Sequence, residues 1–307
     1  MDKVVVFGGS GFLGSHVADS LSDDGFDVTI FDIRPSDYLR PEQKMVVADI
    51  LDQQKIRETI NGAKFVYHFA AIADIKEAQD NPVKAIEVNV LSTVYILDAC
   101  REYNVERIIF GSSIYVYSSH GSFYRSTKQA CELFIENYHQ LFNLNYTILR
   151  YGSLYGPRAN HFNSINNFIL QALRNKTIIR EGNGREQREY IHIKDAAKSS
   201  VKILSDEFIN ANIMITGTKS LRIDDILSMI KEILNNEVDI VYTEEILEDH
   251  YNITPYTFKP KIAKKLHLTY YHDLGQGILE QIYSTYEILL AKNEISDDNP
   301  FTNPKSK

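Results

Sequence analysis

The sequence has few cysteines, no excess of positive charge and no long apolar run, and each shortage excludes a class of protein. Only Cys100 and Cys131 occur among 307 residues; both lie in helical patterns, which excludes a disulfide framework and favours reduced core thiols. The formal net charge of −8 argues against nucleic-acid binding, because such surfaces concentrate lysine and arginine. No apolar run reaches membrane-spanning length, and the opening MDKVVVFGGSG is too short for a signal peptide. We therefore expect a cytoplasmic protein with no membrane partner.

No cluster of histidine, cysteine and aspartate residues has the spacing of metal ligands, so the sequence predicts no metal site. Hydrophobic residues make up 44% of the chain, enough to fill a sizeable core in one large domain or two unequal ones. We find no internal repeat. A globular enzyme is the default interpretation.

A glycine-rich turn follows the first predicted strand. The apolar run KVVVF (3–7) leads into GGSGFLG, and a helical pattern begins there. Gly8, Gly11 and Gly14 are three residues apart, which lets the backbone approach a pyrophosphate at a helix N-terminus. A glycine triplet alone is weak evidence, since it can also be a turn without a ligand. Its position between a strand and a helix favours dinucleotide binding.

An acidic residue ends the second predicted strand, DVTIFD. Asp32 lies eighteen residues after Gly14, where a carboxylate can accept both adenosine ribose hydroxyls and would repel a 2′-phosphate. Arg34 nearby could accommodate that phosphate, but the carboxylate dominates at short range. The sequence therefore predicts NAD as the cofactor rather than NADP.

Strand and helix patterns alternate up to about residue 150, which predicts an α/β fold with a Rossmann-type, doubly wound parallel sheet. We assign residues 1–150 to an NAD-binding domain. A smaller, mixed α/β C-terminal substrate lobe over 151–291 follows, with some segments returning to the Rossmann core. The polar tail 292–307 is expected to be disordered.

A serine, a tyrosine and a lysine form the candidate catalytic set. Ser113 ends the fifth predicted strand, and ligands bind beyond the carboxyl ends of such strands. Tyr124 and Lys128 are four apart on the next helix and so share a face, which brings the ammonium within reach of the phenol and of a cofactor ribose hydroxyl. Tyr124 could then act as a base on a sugar hydroxyl that Ser113 orients. Tyrosine and lysine at this spacing are common by chance, but the preceding strand and dinucleotide pattern favour catalysis.

Together these motifs resemble the extended short-chain dehydrogenase/reductase family, in its branch of NAD-dependent nucleotide-sugar epimerases and dehydratases. The resemblance runs through VVVFGGSGFLGSH, VYHFAA, NPVKAIEVNV, SSIYVY, YRSTK, LRYGSLYGPR and REYIHIKDAA to about residue 290. It implies that further residues contact the cofactor: Phe12, Leu13, Asp49, Ile50, Phe69, Ala70, Ala71 and Tyr151. It also implies that Arg188, with Arg185 in support, binds the diphosphate of a nucleotide sugar.

The sequence departs from this family between SSIYVY and the catalytic tyrosine. The family's usual loop there is substantially longer, whereas here only SSHGSF intervenes. The short loop predicts a more open mouth, suited to a bulkier substrate, or a lid supplied by the other lobe. The acid–base pair of the family's 4,6-dehydratases is replaced by Ile114 and Tyr115, which leaves oxidation of a secondary hydroxyl.

Two reactions remain open: 4-epimerisation of a nucleotide sugar in surface-polysaccharide biosynthesis, which we favour, and net 4-dehydrogenation. The second is similar to the reaction of GDP-heptose 4-dehydrogenases. A non-catalytic NAD-sensing protein of the same fold is a third interpretation, but the chain keeps both Tyr124 and Lys128.

The resemblance also implies a homodimer, in which the helices at about 82–102 and 124–142 pair with those of a second copy in a four-helix bundle. The first of these helices is apolar on more than one side, which is typical of a helix covered on both. The second carries an apolar stripe that includes Phe134 and Leu141.

Overall fold

The computed structural model describes residues 1–243, 264–267 and 269–295. They fall into two compact units. The first contains residues 1–152, 194–216 and 264–267, and the second contains 153–193, 217–243 and 269–295. The division of cofactor and substrate binding between them stays a prediction. Of the tail predicted to be disordered, residues 296–307 lie outside the described residues, while Glu294 forms an ion pair with Arg174.

The elements are numbered along the described residues. The strands are β1 (Lys3–Phe7), β2 (Asp27–Asp32), β3 (Lys44–Val47), β4 (Phe65–His68), β5 (Arg107–Ser113), β6 (Tyr146–Tyr151), β7 (Ser153–Tyr155), β8 (Thr177–Glu181), β9 (Gln187–His192), β10 (Ala211–Ile215), β11 (Ser220–Arg222), β12 (Asp239–Thr243) and β13 (Lys264–Lys265). The helices are α1 (Phe12–Asp23), α2 (Gln53–Ile60), α3 (Ile75–Asp80), α4 (Pro82–Ala85), α5 (Ser92–Glu102), α6 (Ser122–Phe142), α7 (Ser164–Asn175), α8 (Ile193–Lys202), α9 (Ile223–Ile233) and α10 (Leu274–Ala291).

A parallel sheet forms the centre of the first unit. Over the described residues its strand order is β13-β10-β6-β5-β4-β1-β2-β3, and every pair in it is parallel. Strands such as β5 are buried along their whole length, because helices cover both faces of a doubly wound sheet. The predicted Rossmann-type fold is confirmed. The carboxyl ends of β1, β2, β4 and β5 meet at one edge, where ligands bind in sheets of this kind.

A π-helical segment interrupts the helix that was predicted over 82–102. Residues Ile86–Leu91 form this segment between α4 and α5. Its buried Asn89 accepts a hydrogen bond from the Ile72 N–H at 2.7 Å and donates to the Ile72 carbonyl at 3.1 Å and to Thr127 Oγ1 at 3.0 Å. The wider turn therefore serves a buried amide that ties the helix to the segment after β4 and to α6, which is consistent with a structural role for Asn89.

The second unit is built from short strands and three long helices. Over the described residues its sheets have the orders β11-β9-β7 and β12-β8. Helices α7, α9 and α10 contribute Ile169, Ile226 and Ile278 to one apolar core. No helix among the described residues is long and apolar enough to cross a membrane.

Candidate active site

The turn between β1 and α1 is shaped for the close approach of another backbone. Gly8 has φ +79°, and a Cβ there would lie 2.5 Å from the Ala70 nitrogen. A Cβ on Gly14 would lie 2.2 Å from the Gly8 carbonyl oxygen. Both positions therefore require glycine. Gly11 caps α1, whose first residues are Phe12 and Leu13, so the backbone N–H groups of a helix start are presented at this turn.

Asp32 lies at the carboxyl end of β2, next to the glycine turn. Its Oδ2 accepts a hydrogen bond from the Ser10 N–H at 3.0 Å, and its Oδ1 accepts one from the Arg34 N–H at 3.3 Å. These bonds fix a half-buried carboxylate beside the turn. This arrangement suits recognition of ribose hydroxyls, and together with the glycine cradle it fits an NAD dinucleotide.

The segment after β4, residues 69–71, lies beside the glycine turn of the first unit. The N–H groups of Phe69 and Ala70 both donate to the Phe7 carbonyl, at 2.9 and 3.1 Å. The Phe69 ring lies edge-on to the Tyr151 ring, with centroids 6.3 Å apart. Phe69, Ala70 and the following Ala71 are all half-buried, as expected for residues that line a groove.

The remaining residues predicted at the cofactor have differing environments. Ile50 is buried, whereas Asp49 is exposed and accepts a hydrogen bond from the Leu51 N–H at 2.9 Å. Tyr151 is buried at the end of β6, and its hydroxyl lies 2.6 Å from Ser200 Oγ of α8. Burial raises the pKa of the Tyr151 phenol, so this side chain acts as a neutral hydrogen-bonding group.

Ser113 and Tyr124 come together at the carboxyl end of β5. Ser113 is the last residue of this strand, and Tyr124 lies in the first turn of α6. The Ser113 Oγ accepts the Tyr115 N–H at 3.2 Å. Burial raises the pKa of Tyr124 to about 12, and its side-chain hydrogen bond with Ser113 offsets part of that rise. In the protein alone Tyr124 is therefore a protonated phenol.

Lys128 is almost completely buried one helical turn further along α6. Its Nζ donates to the Gly111 carbonyl at 2.6 Å and lies 4.7 Å from the centroid of the Phe110 ring and 5.9 Å from that of Tyr124. Burial lowers its pKa to about 8. The ammonium is thus near the phenol, as the spacing predicts, but one of its three donors is used by β5.

The short connection between β5 and α6 is tightly folded. A 3-10 turn covers Ile114–Tyr117, and the connection reaches α6 at Gly121. Gly121 has φ +100°, and a Cβ there would lie 2.6 Å from Tyr115 Cδ1. The Tyr115 ring is also edge-on to Tyr124, with centroids 6.3 Å apart. The compressed loop therefore places an aromatic ring directly beside the candidate base.

A buried polar cluster under this site was not predicted from the sequence. Ser112 Oγ donates to Glu132 Oε1 at 2.6 Å, and Arg150 donates to both Glu132 carboxylate oxygens, through Nε at 3.0 Å and Nη2 at 2.8 Å. Arg150 Nη1 also donates to the Tyr117 hydroxyl. All four side chains are buried. The available signal was an arginine inside the apolar strand TILRY and a glutamate four residues after Lys128.

The two candidate diphosphate ligands lie in the second unit. Arg188 is buried in β9 and donates through Nη1 to the Gln187 carbonyl at 3.1 Å. Arg185 is exposed in the turn before β9, where its N–H donates to Asn183 Oδ1 at 3.0 Å. Among the residues that the structure describes, no group of three histidine, cysteine or acidic side chains is arranged to hold a metal ion.

A parallel sheet with a glycine cradle, an aspartate at the end of β2 and a Ser/Tyr/Lys set is typical of a dinucleotide-dependent oxidoreductase of the short-chain type. Comparison with known proteins agrees. Residues 4–214 match the model of the NAD dependent epimerase/dehydratase family, and the chain belongs to that family. The predictions of an enzyme of the nucleotide-sugar epimerase/dehydratase branch and of NAD as its cofactor are confirmed.

Individual relatives carry several activities in their names. A putative UDP-glucose 4-epimerase of Methanocaldococcus jannaschii is 31% identical over 263 residues, 78% of this chain and 85% of the relative. A UDP-N-acetyl-alpha-D-glucosaminuronate decarboxylase of Bacillus cytotoxicus is 26% identical, covering 93% of this chain and 98% of the relative. The crystal structure of a UDP-glucose 4-epimerase with UDP-glucose from Thermotoga maritima has a TM-score of 0.82 at 20% identity, covering 94% of this chain and 99% of that one. At this identity the structural likeness shows the fold.

Proposed function

We propose that the protein is a nucleotide-sugar 4-epimerase that oxidises and re-reduces the C4 hydroxyl of its substrate. The observation that carries this proposal is that Ser113, Tyr124 and Lys128 lie near each other at the carboxyl end of β5, in a chain that belongs to an NAD-dependent family. The name of the Methanocaldococcus relative supports a 4-epimerase. A role in surface-polysaccharide biosynthesis in the cytoplasm is part of the proposal.

Each catalytic residue has a role that its position allows. Tyr124 accepts the proton of the sugar hydroxyl, and Ser113, already hydrogen-bonded to Tyr124, orients that hydroxyl. The Lys128 ammonium, when charged, favours the phenolate form of Tyr124. A bound NAD would supply the hydride chemistry at C4, oxidation followed by reduction from the opposite face of the sugar. Gly8, Gly11, Gly14 and Asp32 are proposed to hold the cofactor.

The residues after Ser113 favour this reaction over elimination. Elimination of water needs a further positioned acid and base, and the 3-10 turn has Ile114 and Tyr115 there. Ile114 is buried and apolar, and the Tyr115 ring is held against Gly121. The absence of a carboxylate at these two positions also counts against the decarboxylase activity named for the Bacillus relative.

The proposed substrate is a nucleoside diphosphate sugar. Arg188, in β9, and Arg185, in the turn before it, are proposed to bind the diphosphate, because a guanidinium donates in parallel to two phosphate oxygens. Arg188 is nine-tenths buried, so its guanidinium has limited freedom and would lose little entropy on binding. Exposed Arg185 is the weaker candidate of the two.

Net dehydrogenation to a 4-keto sugar, as for a GDP-heptose, is the second candidate. It is favoured by the short connection between the 3-10 turn and α6, residues 118–121, because a less covered ketone is released more easily to another enzyme. A non-catalytic NAD sensor is disfavoured, since the complete catalytic set is retained.

The test is incubation of the purified protein with UDP-, GDP-, dTDP- and CDP-hexoses and heptoses, with NMR of the products and optical detection of NADH. An epimerase is expected to interconvert C4 epimers over many turnovers with no lasting NADH signal. A 4-keto sugar that accumulates in step with NADH would replace the epimerase by the dehydrogenase. Absence of both products, and of any shift in melting temperature with these sugars, would remove the substrate class.

Tyr124→Phe is the matched variant for the catalytic role. It deletes one hydroxyl and keeps the ring packing with Tyr115. NAD binding is expected to be retained, while kcat falls by about 10²- to 10⁴-fold because the general base is lost. Turnover equal to that of the parent protein would exclude Tyr124 from the mechanism.

A further inference from the structure

The buried cluster of Ser112, Glu132, Arg150 and Tyr117 lies directly behind the catalytic set, and nothing in the proposed reaction uses it. Relative exposure is 0% for Arg150 and 2% for Glu132. A buried ion pair contributes little to stability on balance, because the cost of removing two charges from water offsets their attraction. We therefore expect this cluster to have a role other than stabilising the fold.

Its hydrogen bonds reach the elements that carry the catalytic residues. Glu132 belongs to α6, one turn after Lys128, and it accepts from Ser112, the residue before Ser113. Arg150 belongs to β6, next to Tyr151, and is bonded to Tyr117 at the end of the 3-10 turn. The Glu132 carboxylate thus connects α6 to β5 through Ser112 and to β6 through Arg150, next to the candidate active site.

Glu132 also acts on the charge of Lys128. Glu132 raises the Lys128 pKa against the larger opposing effect of burial. Among the described residues, the other titratable groups that face Lys128 carry no charge at neutral pH. The pKa of His68 on β4 is lowered to about 3 by burial and by Lys128 itself, and the pKa values of Cys131 and Tyr124 on α6 are raised by burial. On β5, Lys128 faces two uncharged groups: the Gly111 carbonyl, to which it donates a hydrogen bond, and the Phe110 ring.

We propose that Glu132 and Arg150 are positioning residues for catalysis: Glu132 fixes the end of β5 through Ser112, and the two opposite charges tune the protonation of Lys128. The proposal rests on the proposed function for its consequence in turnover. The ammonium state of Lys128 is the state that supports Tyr124 as a base, so the charge of this pair sets the pH at which that support is lost. Arg150, which is bonded to Glu132 and has the opposite charge, would oppose this effect.

The charge arm is tested by NMR titration of [¹³Cε]-lysine-labelled protein between pH 6 and 11, with Lys128 assigned from the spectrum of Lys128→Met. Glu132→Gln is expected to lower the Lys128 titration midpoint by on the order of one pH unit. The double variant Glu132→Gln/Arg150→Met, which removes both charges, is expected to give a smaller shift than Glu132→Gln alone. No shift in Glu132→Gln, or a shift to higher pH, would overturn the proposal.

Arg107→Met is the matched control for loss of a buried arginine. Arg107 lies at the opposite end of β5, is as buried as Arg150, and donates to the carbonyls of Ile203, Leu204 and Ser205. It is expected to lower the melting temperature while leaving the Lys128 midpoint unchanged. A Lys128 shift in this control equal to that of Glu132→Gln would assign the effect to general destabilisation and overturn the proposal.

The positioning of β5 by Glu132 is tested with Ser112→Ala, which removes one hydroxyl and keeps both charges. This variant gives a result even where a charge variant fails to fold. Turnover kcat is expected to fall about tenfold at unchanged KM, because Ser113 is held less firmly; unchanged kcat would remove this arm. The lysine titration requires neither sugar nor turnover. A failure of the proposed epimerase activity is therefore distinguishable from a failure of this inference.

Discussion

At the scale of single residues, Lys128 shows how the chemistry proposed for a side chain conflicts with stability. The residue is 3% exposed, and its ammonium contacts the Gly111 carbonyl and the face of the Phe110 ring. Burial lowers its pKa from 10.5 to about 8, so the folded protein holds a charge at neutral pH that the interior disfavours. The residue type is therefore explained by chemistry and not by packing.

This conflict predicts a pH-dependent stability difference between the parent protein and Lys128→Met. Between pH 8 and 10.5 the unfolded chain still binds the proton that the folded protein has released, so the parent's free energy of unfolding rises with pH in this window. Relative to Lys128→Met, the parent is expected to gain about 2 kcal/mol between pH 7 and pH 9.5, and the variant should be the more stable of the two at pH 7.

Urea unfolding of both proteins at several pH values measures this difference. A constant difference across the range would mean that Lys128 titrates at its ordinary pKa. Tyr124, whose pKa burial raises to about 12 in the folded protein, is present in both proteins, so its titration contributes to both stabilities and not to their difference.

The sequence predicts residues with a fixed chemical meaning better than residues that act through others. Gly8 was assigned because it follows a predicted strand, and Asp32 and Ser113 because each ends one. The structure places Gly8 directly after β1, Asp32 at the end of β2 and Ser113 at the end of β5. Glu132 and Arg150 are 18 residues apart. Their pairing depends on α6 packing against the sheet, which no local pattern records. Whether the predicted residues bind cofactor and substrate stays a prediction.

At the scale of elements, the connection before α6 is the part that distinguishes this chain. Gly121 has a left-handed backbone conformation, and its missing side chain makes room for the Tyr115 ring. Because Tyr115 also contacts the Tyr124 ring, the connection controls the position of the candidate base.

Gly121→Ala is expected to reduce kcat several-fold, because the new Cβ would lie 2.6 Å from Tyr115 Cδ1 and push its ring towards Tyr124. Backbone strain alone costs on the order of 1 kcal/mol. Gly25→Ala is the matched control, since Gly25 has φ +84° with nothing within 4 Å of the added Cβ. It should lose similar stability but keep its turnover. Equal kcat in both variants would separate Tyr115 from catalysis.

Long, strongly patterned elements were predictable and short ones were not. The helix over 53–60 and the strand over 107–113 follow from apolar periodicity within a residue or two. The π-helical segment 86–91 has no signature apart from Asn89, because its geometry serves a tertiary contact. The sequence analysis does not identify strands β8 and β12, which pair with each other in parallel; pairing over such a sequence distance is not visible locally.

At the scale of the whole molecule, the helices of the first unit expose large apolar side chains. On α4, the π-helical segment and α6 these include Val83 at 69%, Ile86 at 50%, Leu133 at 53% and Leu141 at 72% exposure. Single exposed apolar residues are ordinary, but a concentration of them on neighbouring helices is typical of a surface that contacts another protein. On the buried side, Ile96 of α5 and Ile135 of α6 belong to the apolar core that includes Ile108 of the sheet.

We therefore expect a homodimer in which these helices pair with those of a second copy, since a symmetric pairing buries the same apolar surface twice. Sedimentation equilibrium at micromolar concentration should give twice the chain mass of 35.2 kDa. The double variant Leu133→Glu/Leu141→Glu should sediment as a monomer, because it would bury four carboxylates in a dimer. Ile288→Glu, on the exposed side of α10 in the other unit, should remain dimeric. A parent protein of single-chain mass, or a dimer unaffected by the double variant, would exclude this surface as the interface.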